Sequence, residues 1–219
     1  MKKGKFMQTP ERRSVKQKGK FIVIEGGVGC GKTTQVDLLK KKLKKGWKFY
    51  REPGGTEFGE KVRDAVQGLN GYDVNEYAAM FGYSASRANL IRELIIPELK
   101  KGVNILLDRY WYTSYVYQGT KVPKKIVEDI NKIATDNLVP DMVIFYDLDP
   151  KIGMERKKGR KDADRYDIKE LEFHKKIRSD YKKLGKKIGR KWKTIDALKS
   201  IDEIQKETLE LLKRYKIIK

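Results

Sequence analysis

The strongest constraint on the fold is a glycine-rich loop that separates an apolar run from an amphipathic segment. The run Phe21–Ile24 leads into the pattern G-x-x-x-x-G-K-T at 26–33, and apolar residues recur at helical spacing as far as Lys44. A short apolar run is typical of a buried parallel strand, and the spacing after the loop is typical of a helix. The sequence therefore predicts a strand, a tight loop and a helix N-terminus in that order.

A loop of this kind binds phosphate, because its backbone N–H groups point inward and the helix dipole attracts anions. Glycine lets the backbone approach the anion closely, where a Cβ atom would obstruct it. We expect Lys32 to reach the β- and γ-phosphates of a nucleoside triphosphate, and Thr33 to hold Mg²⁺. The predicted triphosphate site consists of Gly26, Gly27, Val28, Gly29, Cys30, Gly31, Lys32, Thr33 and Thr34.

Composition limits the class of protein. The chain has 219 residues, of which 39% are hydrophobic, which is enough for the core of about one domain. No apolar run approaches the roughly 18 residues of a membrane helix, so we expect no membrane partner. The single cysteine, Cys30, excludes an internal disulfide framework and favours a cytoplasmic location.

The formal net charge of +21 has two interpretations. It can indicate a nucleic-acid partner, or it can reflect lysine usage on solvated helix faces. We favour the second, because lysine carries most of the excess and is spread along the chain. Nucleic acid is then expected to bind only non-specifically, at low salt.

Two segments carry too much charge to belong to the core. Residues 1–19 are strongly basic and show no apolar period, which predicts a disordered basic tail followed by one domain at 20–219. The segment at about 157–167 is nearly all charged, and we predict that it forms a small lid between two helices.

From Phe21 onward, strand patterns alternate with helical patterns, which predicts an α/β fold with a parallel sheet covered on both faces. The predicted strands are 21–25, 47–51, 103–107, 142–147 and 192–195. The predicted helices are 32–45, 57–68, 74–101, 123–137, 150–158, 168–188 and 200–215. Pro97 lies inside the long third helix, where we expect a kink.

Charged residues also follow the third predicted strand. Asp108, at the carboxyl edge of that strand, can bind Mg²⁺ through water, and Arg109 can hold a phosphate with its planar guanidinium group. A strand-end ion pair without chemistry is the alternative explanation for these two residues.

Several motifs in a fixed order carry a resemblance to a known family. They are R-E-P-G-G-T at 51–56, D-R-Y at 108–110, Y-Q-G at 117–119, D-L-D-P at 147–150 and the arginine-rich segment 156–165. In these motifs the chain resembles the thymidylate kinases (dTMP kinases) of the nucleoside-monophosphate kinase group. The resemblance implies a P-loop kinase fold with a five-stranded parallel sheet and a small lid, transfer of phosphate from ATP to dTMP with Mg²⁺, and a homodimer.

The resemblance also assigns a site for the acceptor nucleoside. It implies that Tyr83 stacks on the pyrimidine while Arg87, one helical turn later, donates to a base carbonyl. Tyr117 is implied to crowd the 2′ side of the sugar, and Gln118 to contact the base edge. Core packing of Tyr117 and a loop contact of Gln118 are the alternatives.

The acceptor phosphate is expected between Arg51 and Arg109, above a turn that contains Pro53. Arg51 is as easily explained as a structural salt-bridge partner. Glu52 can orient Arg51 or Mg²⁺, or it can be a solvated carboxylate of the turn.

Transfer of the phosphoryl group requires a mobile cation. In the family this arginine comes from the phosphate loop or from the lid; here the loop has Gly29 at that position, whereas the lid has Arg160. Arg156 and Arg165 are competing candidates. The predicted catalytic residues are Lys32, Arg109 and Arg160.

One residue departs from the family pattern. Val28 occupies the loop position where the family has Asp or Glu facing the sugar 3′-OH, and valine accepts no hydrogen bond. The missing bond is worth about 1 kcal/mol, so selectivity for dTMP is left open. The rival interpretations are a kinase of another pyrimidine deoxynucleotide such as dUMP or of a deoxynucleoside, and a nucleic-acid-dependent P-loop ATPase.

Overall fold

A computed structural model describes residues 18–43, 45–67, 74–159 and 165–218. The predicted tail at 1–19 lies outside the described residues except for its last two positions, and so does 160–164 of the predicted lid. Lys18 and Gly19 both donate their backbone N–H to the Leu99 carbonyl, at 3.2 and 2.9 Å. Lys18 and Gly19, which the sequence places in the tail, therefore contact the domain.

The sheet has five strands, all parallel, in the order β2-β3-β1-β4-β5. They are β1 (Phe21–Gly26), β2 (Trp47–Arg51), β3 (Asn104–Asp108), β4 (Met142–Asp147) and β5 (Trp192–Asp196). All five predicted strands are confirmed, with bounds that differ by at most one residue. In the central strand, Ile24 lies opposite Asp108 on one side and Ile144 on the other, so the strand carboxyl ends meet at one edge.

Helices cover both faces of the sheet, as predicted. In the described part of the chain they are α1 (Lys32–Lys42), α2 (Glu57–Val66), α3 (Glu76–Leu90), α4 (Ile96–Lys101), α5 (Trp111–Tyr117), α6 (Lys124–Ala134), α7 (Pro150–Lys157), α8 (Leu171–Ile188) and α9 (Ile201–Arg214). None of the described helices is long and apolar enough to cross a membrane.

The two apolar cores are separated by the alternation of side chains along β1. Phe21 and Val23 pack with residues of α3, α4, α5 and α8, whereas Ile22 and Ile24 pack with residues of α1 and α9. The alternation continues into Glu25, which therefore lies on the side of α5 and α8.

Several predicted helix ends differ from the structure by up to three residues, and two parts of the helical prediction differ in kind. The segment predicted at 74–101 is helical from Glu76 to Lys101, but it contains a π-helical turn at Ile91–Ile95. Pro97 follows this turn and has no N–H for a regular helical bond, so the distortion lies just before it. The sequence predicts no element at Trp111–Tyr117, which forms α5. This helix is rich in aromatic residues and has no continuous polar face, which is the pattern that identifies a surface helix in a sequence.

Candidate active site

The glycine loop joins β1 to α1 at the carboxyl edge of the sheet. Gly29 and Gly31 have positive φ angles of 60° and 83°, and a Cβ atom at Gly29 would lie 2.0 Å from the Gly153 carbonyl oxygen in α7. In the described structure no side chain caps the N-terminus of α1. The first N–H groups of α1 are therefore available to an anion.

Lys32 lies at the base of this loop. Its side chain is mostly buried, and Nζ donates to the Gly26 carbonyl at 3.1 Å and lies 3.7 Å from Sγ of Cys30. Thr33 and Thr34, the next two residues, are exposed. The ammonium group is thus held beside the loop by contacts within the protein.

A cleft of about 790 Å³ opens on the glycine loop. Lys32 and Arg109 both line it, together with Asp108 and the lid-proximal Arg156. The residues predicted for the triphosphate site from Gly27 to Thr34 also line this cleft. Cations from separate regions of the chain therefore face one space.

Arg109 has a left-handed backbone, with φ of 68°. One guanidinium nitrogen, Nη1, lies 3.5 Å from both the Gly26 carbonyl and the Thr113 hydroxyl, and the group lies 5.9 Å from the centre of the Tyr117 ring. Its side chain is thereby held between the glycine loop and α5.

Glu25 fixes the segment that carries Arg109. Its carboxylate is fully buried and accepts from the Tyr110 N–H (2.9 Å), the Thr113 hydroxyl (2.7 Å) and the Tyr181 hydroxyl (2.8 Å). Burial raises the pKa of Glu25, although Arg109 and these donors oppose the shift. Glu25 is not among the predicted site residues. The sequence feature that could have identified it is an acidic residue at the end of an otherwise apolar strand.

The two predicted metal ligands also lie at the cleft. Oδ1 of Asp108 is buried and has no hydrogen-bond partner among the described residues, and Thr33 is exposed at the start of α1. A free carboxylate oxygen and a hydroxyl group are ligands that Mg²⁺ accepts, directly or through water. These residues therefore fit Mg²⁺. Over the described ranges there is no group of three or more His, Cys, Asp or Glu side chains that could hold a metal.

A narrower pocket adjoins the cleft and contains the predicted acceptor residues. Tyr83, Arg87, Tyr117 and Gln118 all line it. Pro53 and Arg109 line both the pocket and the cleft. The predicted donor and acceptor regions thus meet at Arg109.

Arg87 is held in a buried polar network. Nε donates to Glu52 at 2.5 Å, Nη2 to Ser114 at 3.2 Å, and Nη1 to Asn131. Glu52 is only 3% exposed, so its alternative role as a solvated turn carboxylate is wrong. Burial raises the pKa of Glu52 to about 7, although Arg87 acts to lower it.

Gln118 and Tyr166 form another wall of the pocket. The Gln118 amide donates to the Tyr166 hydroxyl at 2.8 Å, and that hydroxyl donates to Glu76 at 3.0 Å. Oε1 of Gln118 is buried without a hydrogen-bond partner in the described part of the chain. Tyr117 packs edge-on against Tyr166, with ring centres 5.2 Å apart. Tyr166 is a pocket residue that the sequence reasoning missed, and its position after the lid arginines was the only signal.

The remaining predicted arginines have different surroundings. Arg51 lines the cleft but is paired with Glu60 at 2.7 Å. Arg156 lines the cleft and donates to the Ala197 carbonyl at 3.3 Å. Arg165 is paired with Glu76 at 3.0 Å and lies outside the described walls of both cavities. Arg160 lies outside the described residues.

Comparison with known proteins agrees with this arrangement. The sequence profile described as Thymidylate kinase matches residues 24–208. A protein named thymidylate kinase from Thermoanaerobacter sp. (strain X514) is 40% identical over 203 residues, which cover 90% of this chain and 99% of that protein. Those from Caldanaerobacter subterraneus subsp. tengcongensis and Thermosipho africanus are also 40% identical, over 90% and 89% of this chain and 97% and 98% of their own length. The chain therefore belongs to the thymidylate kinase family.

Proposed function

We propose that this protein transfers the γ-phosphoryl group of ATP to dTMP, forming ADP and dTDP. The observation that carries the proposal is the junction of the two cavities, where Arg109 faces both the glycine-loop cleft and the pocket of Tyr83 and Arg87. Family membership supports the same reaction, since the similar proteins are named thymidylate kinase.

The acceptor phosphate is itself the nucleophile, so the reaction needs no general base. The protein must hold two polyanions in line and neutralise the charge on the group in transit. In our proposal Lys32 and the loop N–H groups hold the donor phosphates, while Arg109 holds the acceptor phosphate. Arg51 is a second clamp, which exchanges its partner Glu60 for phosphate.

We assign the magnesium ion to Thr33 and Asp108. When bound there, Mg²⁺ would reduce the negative charge of the donor phosphates. The unpaired Oδ1 of Asp108 supports this assignment, because a buried carboxylate oxygen without a donor is otherwise costly.

The base of dTMP fits the polar groups of the pocket. A guanidinium group has five N–H donors, and Arg87 uses one on each of its three nitrogens, which leaves donors for a base carbonyl. Oε1 of Gln118 can accept from the N3–H of thymine or uracil, which cytosine lacks. The ring of Tyr83 offers a stacking surface, and Tyr117 contacts the sugar.

We assign the mobile cation to Arg160. In phosphoryl transfer such an arginine is worth about 10³–10⁵ in rate, so Arg160→Ala is expected to lower kcat at least a thousandfold while ATP affinity is kept. The matched control is Lys158→Ala, in an exposed residue of the same segment. If Arg156→Ala loses the rate and Arg160→Ala does not, the role passes to Arg156.

We also propose a homodimer and a cytoplasmic location. Exposed aromatic side chains on the neighbouring helices α2 and α3, Phe58, Tyr77 and Phe81, are 47–57% exposed and suit a subunit interface. Phe81→Glu should then shift the sedimentation profile towards monomer. The single cysteine of the chain and its ATP-dependent reaction support the cytoplasm.

A coupled assay of ADP formation with dTMP, dUMP, dCMP and thymidine tests the reaction. We expect dTMP to be the best substrate and thymidine to be inactive, because thymidine brings no phosphate to Arg109. Val28→Asp should lower the KM for dTMP but not for its 3′-deoxy analogue, which has no hydroxyl for the carboxylate to bind. Equal rates with all four acceptors would overturn the proposal.

A further inference from the structure

The exposed surface of α8 carries a single sign of charge over most of its length. From Lys175 to the end of the helix, the exposed positions are Lys175, Lys176, Ser179, Lys182, Lys183, Lys186 and Lys187. On α9, in contrast, the exposed charged positions mix three acids with three bases: Asp202, Glu203, Lys206, Glu210, Lys213 and Arg214. A uniform spread of lysine over exposed helix faces does not explain why α8 is basic while α9 is mixed.

The lysines of α8 also line a concave surface. A shallow groove of about 490 Å³ is lined by Lys175, Arg178, Ser179, Lys182, Lys183 and Lys186 of α8, and by Asp149 and Pro150 at the start of α7. The one acid, Asp149, is paired with Arg178 at 3.3 Å. Lys183 and Lys186 form no ion pair with any described residue. Lys175 is paired with Glu172 at 2.7 Å and Lys182 with Asp147 at 2.9 Å. The net positive charge of the groove therefore rests on Lys183 and Lys186.

We propose that this surface, the α8 ridge (Lys175, Lys182, Lys183 and Lys186), docks the phosphate backbone of a nucleic acid without reading its bases. At 1.5 Å per residue the ridge is roughly 16 Å long, and each DNA strand carries one phosphate per about 3.4 Å of helix axis, so the ridge spans the rise of about five base pairs. Lysine is a point charge that contacts phosphate, and the exposed positions of the ridge hold no Arg, Asn or Gln to recognise a base edge.

A nucleic acid fits the ridge better than an anionic membrane. Helices that bind membrane surfaces insert an apolar face beside their lysines. The apolar face of α8 packs instead in the core through Ile177, Tyr181 and Leu184, and its exposed positions from Lys175 onward hold no apolar side chain. The four ridge lysines are absent from the described walls of the nucleotide cleft, so docking and phosphoryl transfer can be tested separately.

The experiment measures the anisotropy of a labelled DNA duplex of about 20 base pairs, titrated with the full chain over a series of salt concentrations. The test variant is Lys175→Gln/Lys183→Gln/Lys186→Gln. The control variant, Lys41→Gln/Lys42→Gln/Lys206→Gln, makes the same change in charge at exposed positions of α1 and α9, on the opposite face of the sheet. Thymidylate kinase activity of both variants should equal that of the unmodified protein, which shows that they are folded.

Each lost phosphate contact flattens the plot of log K against log salt by about 0.9. We expect the ridge variant to flatten it by about 2–3 and the control by less than about 1. Equal changes in both variants would show that the overall charge binds DNA, and would overturn the proposal. So would undetectable binding of the unmodified protein at low salt, or tighter binding to phosphatidylserine vesicles than to the duplex.

Discussion

The ion pair between Glu52 and Arg87 gives the sharpest prediction for stability. Both side chains are at most 3% exposed, and Nε lies 2.5 Å from Oε2. Removal of one partner from a buried pair leaves the other charge without its counterion, which costs about 3–5 kcal/mol. Glu52→Ala is therefore expected to lower the free energy of unfolding by about 3–5 kcal/mol and the Tm by about 6–20 °C.

The double variant separates this charge effect from lost packing. Arg87→Ala should also be strongly destabilising, because it leaves Glu52 unpaired and removes the bonds to Ser114 and Asn131. Glu52→Ala/Arg87→Ala leaves neither charge buried, so its loss should be smaller than the sum of the single losses by about 1–3 kcal/mol.

Urea unfolding at about pH 8, where Glu52 is mostly charged, followed by circular dichroism measures all three losses. The matched control is Lys61→Ala, which breaks the pair with Glu57 on the surface of α2, where both side chains are at least 75% exposed. That loss should stay below about 1 kcal/mol. A Glu52→Ala loss no larger than that of the control, or single losses that simply add, would refute the reasoning.

Three further predictions concern pH, the loop and the clamp. Burial raises the pKa of Glu52 from its usual 4.5 to about 7, so folding favours the protonated form. The stability gained from that protonation is full below pH 4.5 and is lost as the pH rises through 7. The free energy of unfolding of Glu52→Gln should therefore fall less over this window than that of the unmodified protein. Gly29→Ala should lower ATP affinity at least about tenfold by calorimetry, because its Cβ would meet the Gly153 carbonyl. Gly46→Ala, at a turn outside the cleft that also has a positive φ but has open space at its Cβ, should bind ATP normally. Arg109→Ala should reduce kcat/KM for dTMP by about 10²–10³ in the coupled assay and leave the affinity for ATP unchanged. Equal losses of kcat/KM for dTMP and of ATP affinity would contradict its role as the acceptor clamp.

Local patterns sufficed for the sheet and for the phosphate loop. The strands are continuous apolar runs because both faces of the sheet are covered, and the loop is read from glycine spacing within eight residues. Nothing in the local sequence, however, shows that Glu52 is buried: its partner Arg87 is 35 residues away, on α3. The same holds for Tyr166, which reaches Gln118 across 48 residues. Partners that are distant in sequence are fixed by tertiary packing, which a single sequence does not display.

The two buried acids have a common consequence for the site. Glu25 is bonded to the segment of Arg109, and Glu52 to Arg87, so these two arginines of the acceptor region are each supported by a buried carboxylate. Burial raises the pKa of both acids, so folding opposes their charged forms. The protein is therefore less stable with these two carboxylates charged than it would be with them neutral. In return the guanidinium groups are held in place before a substrate arrives, and little ordering remains to be done when the acceptor phosphate binds. A protein that must align two polyanions gains more from fixed cations than from the last few kcal/mol of stability.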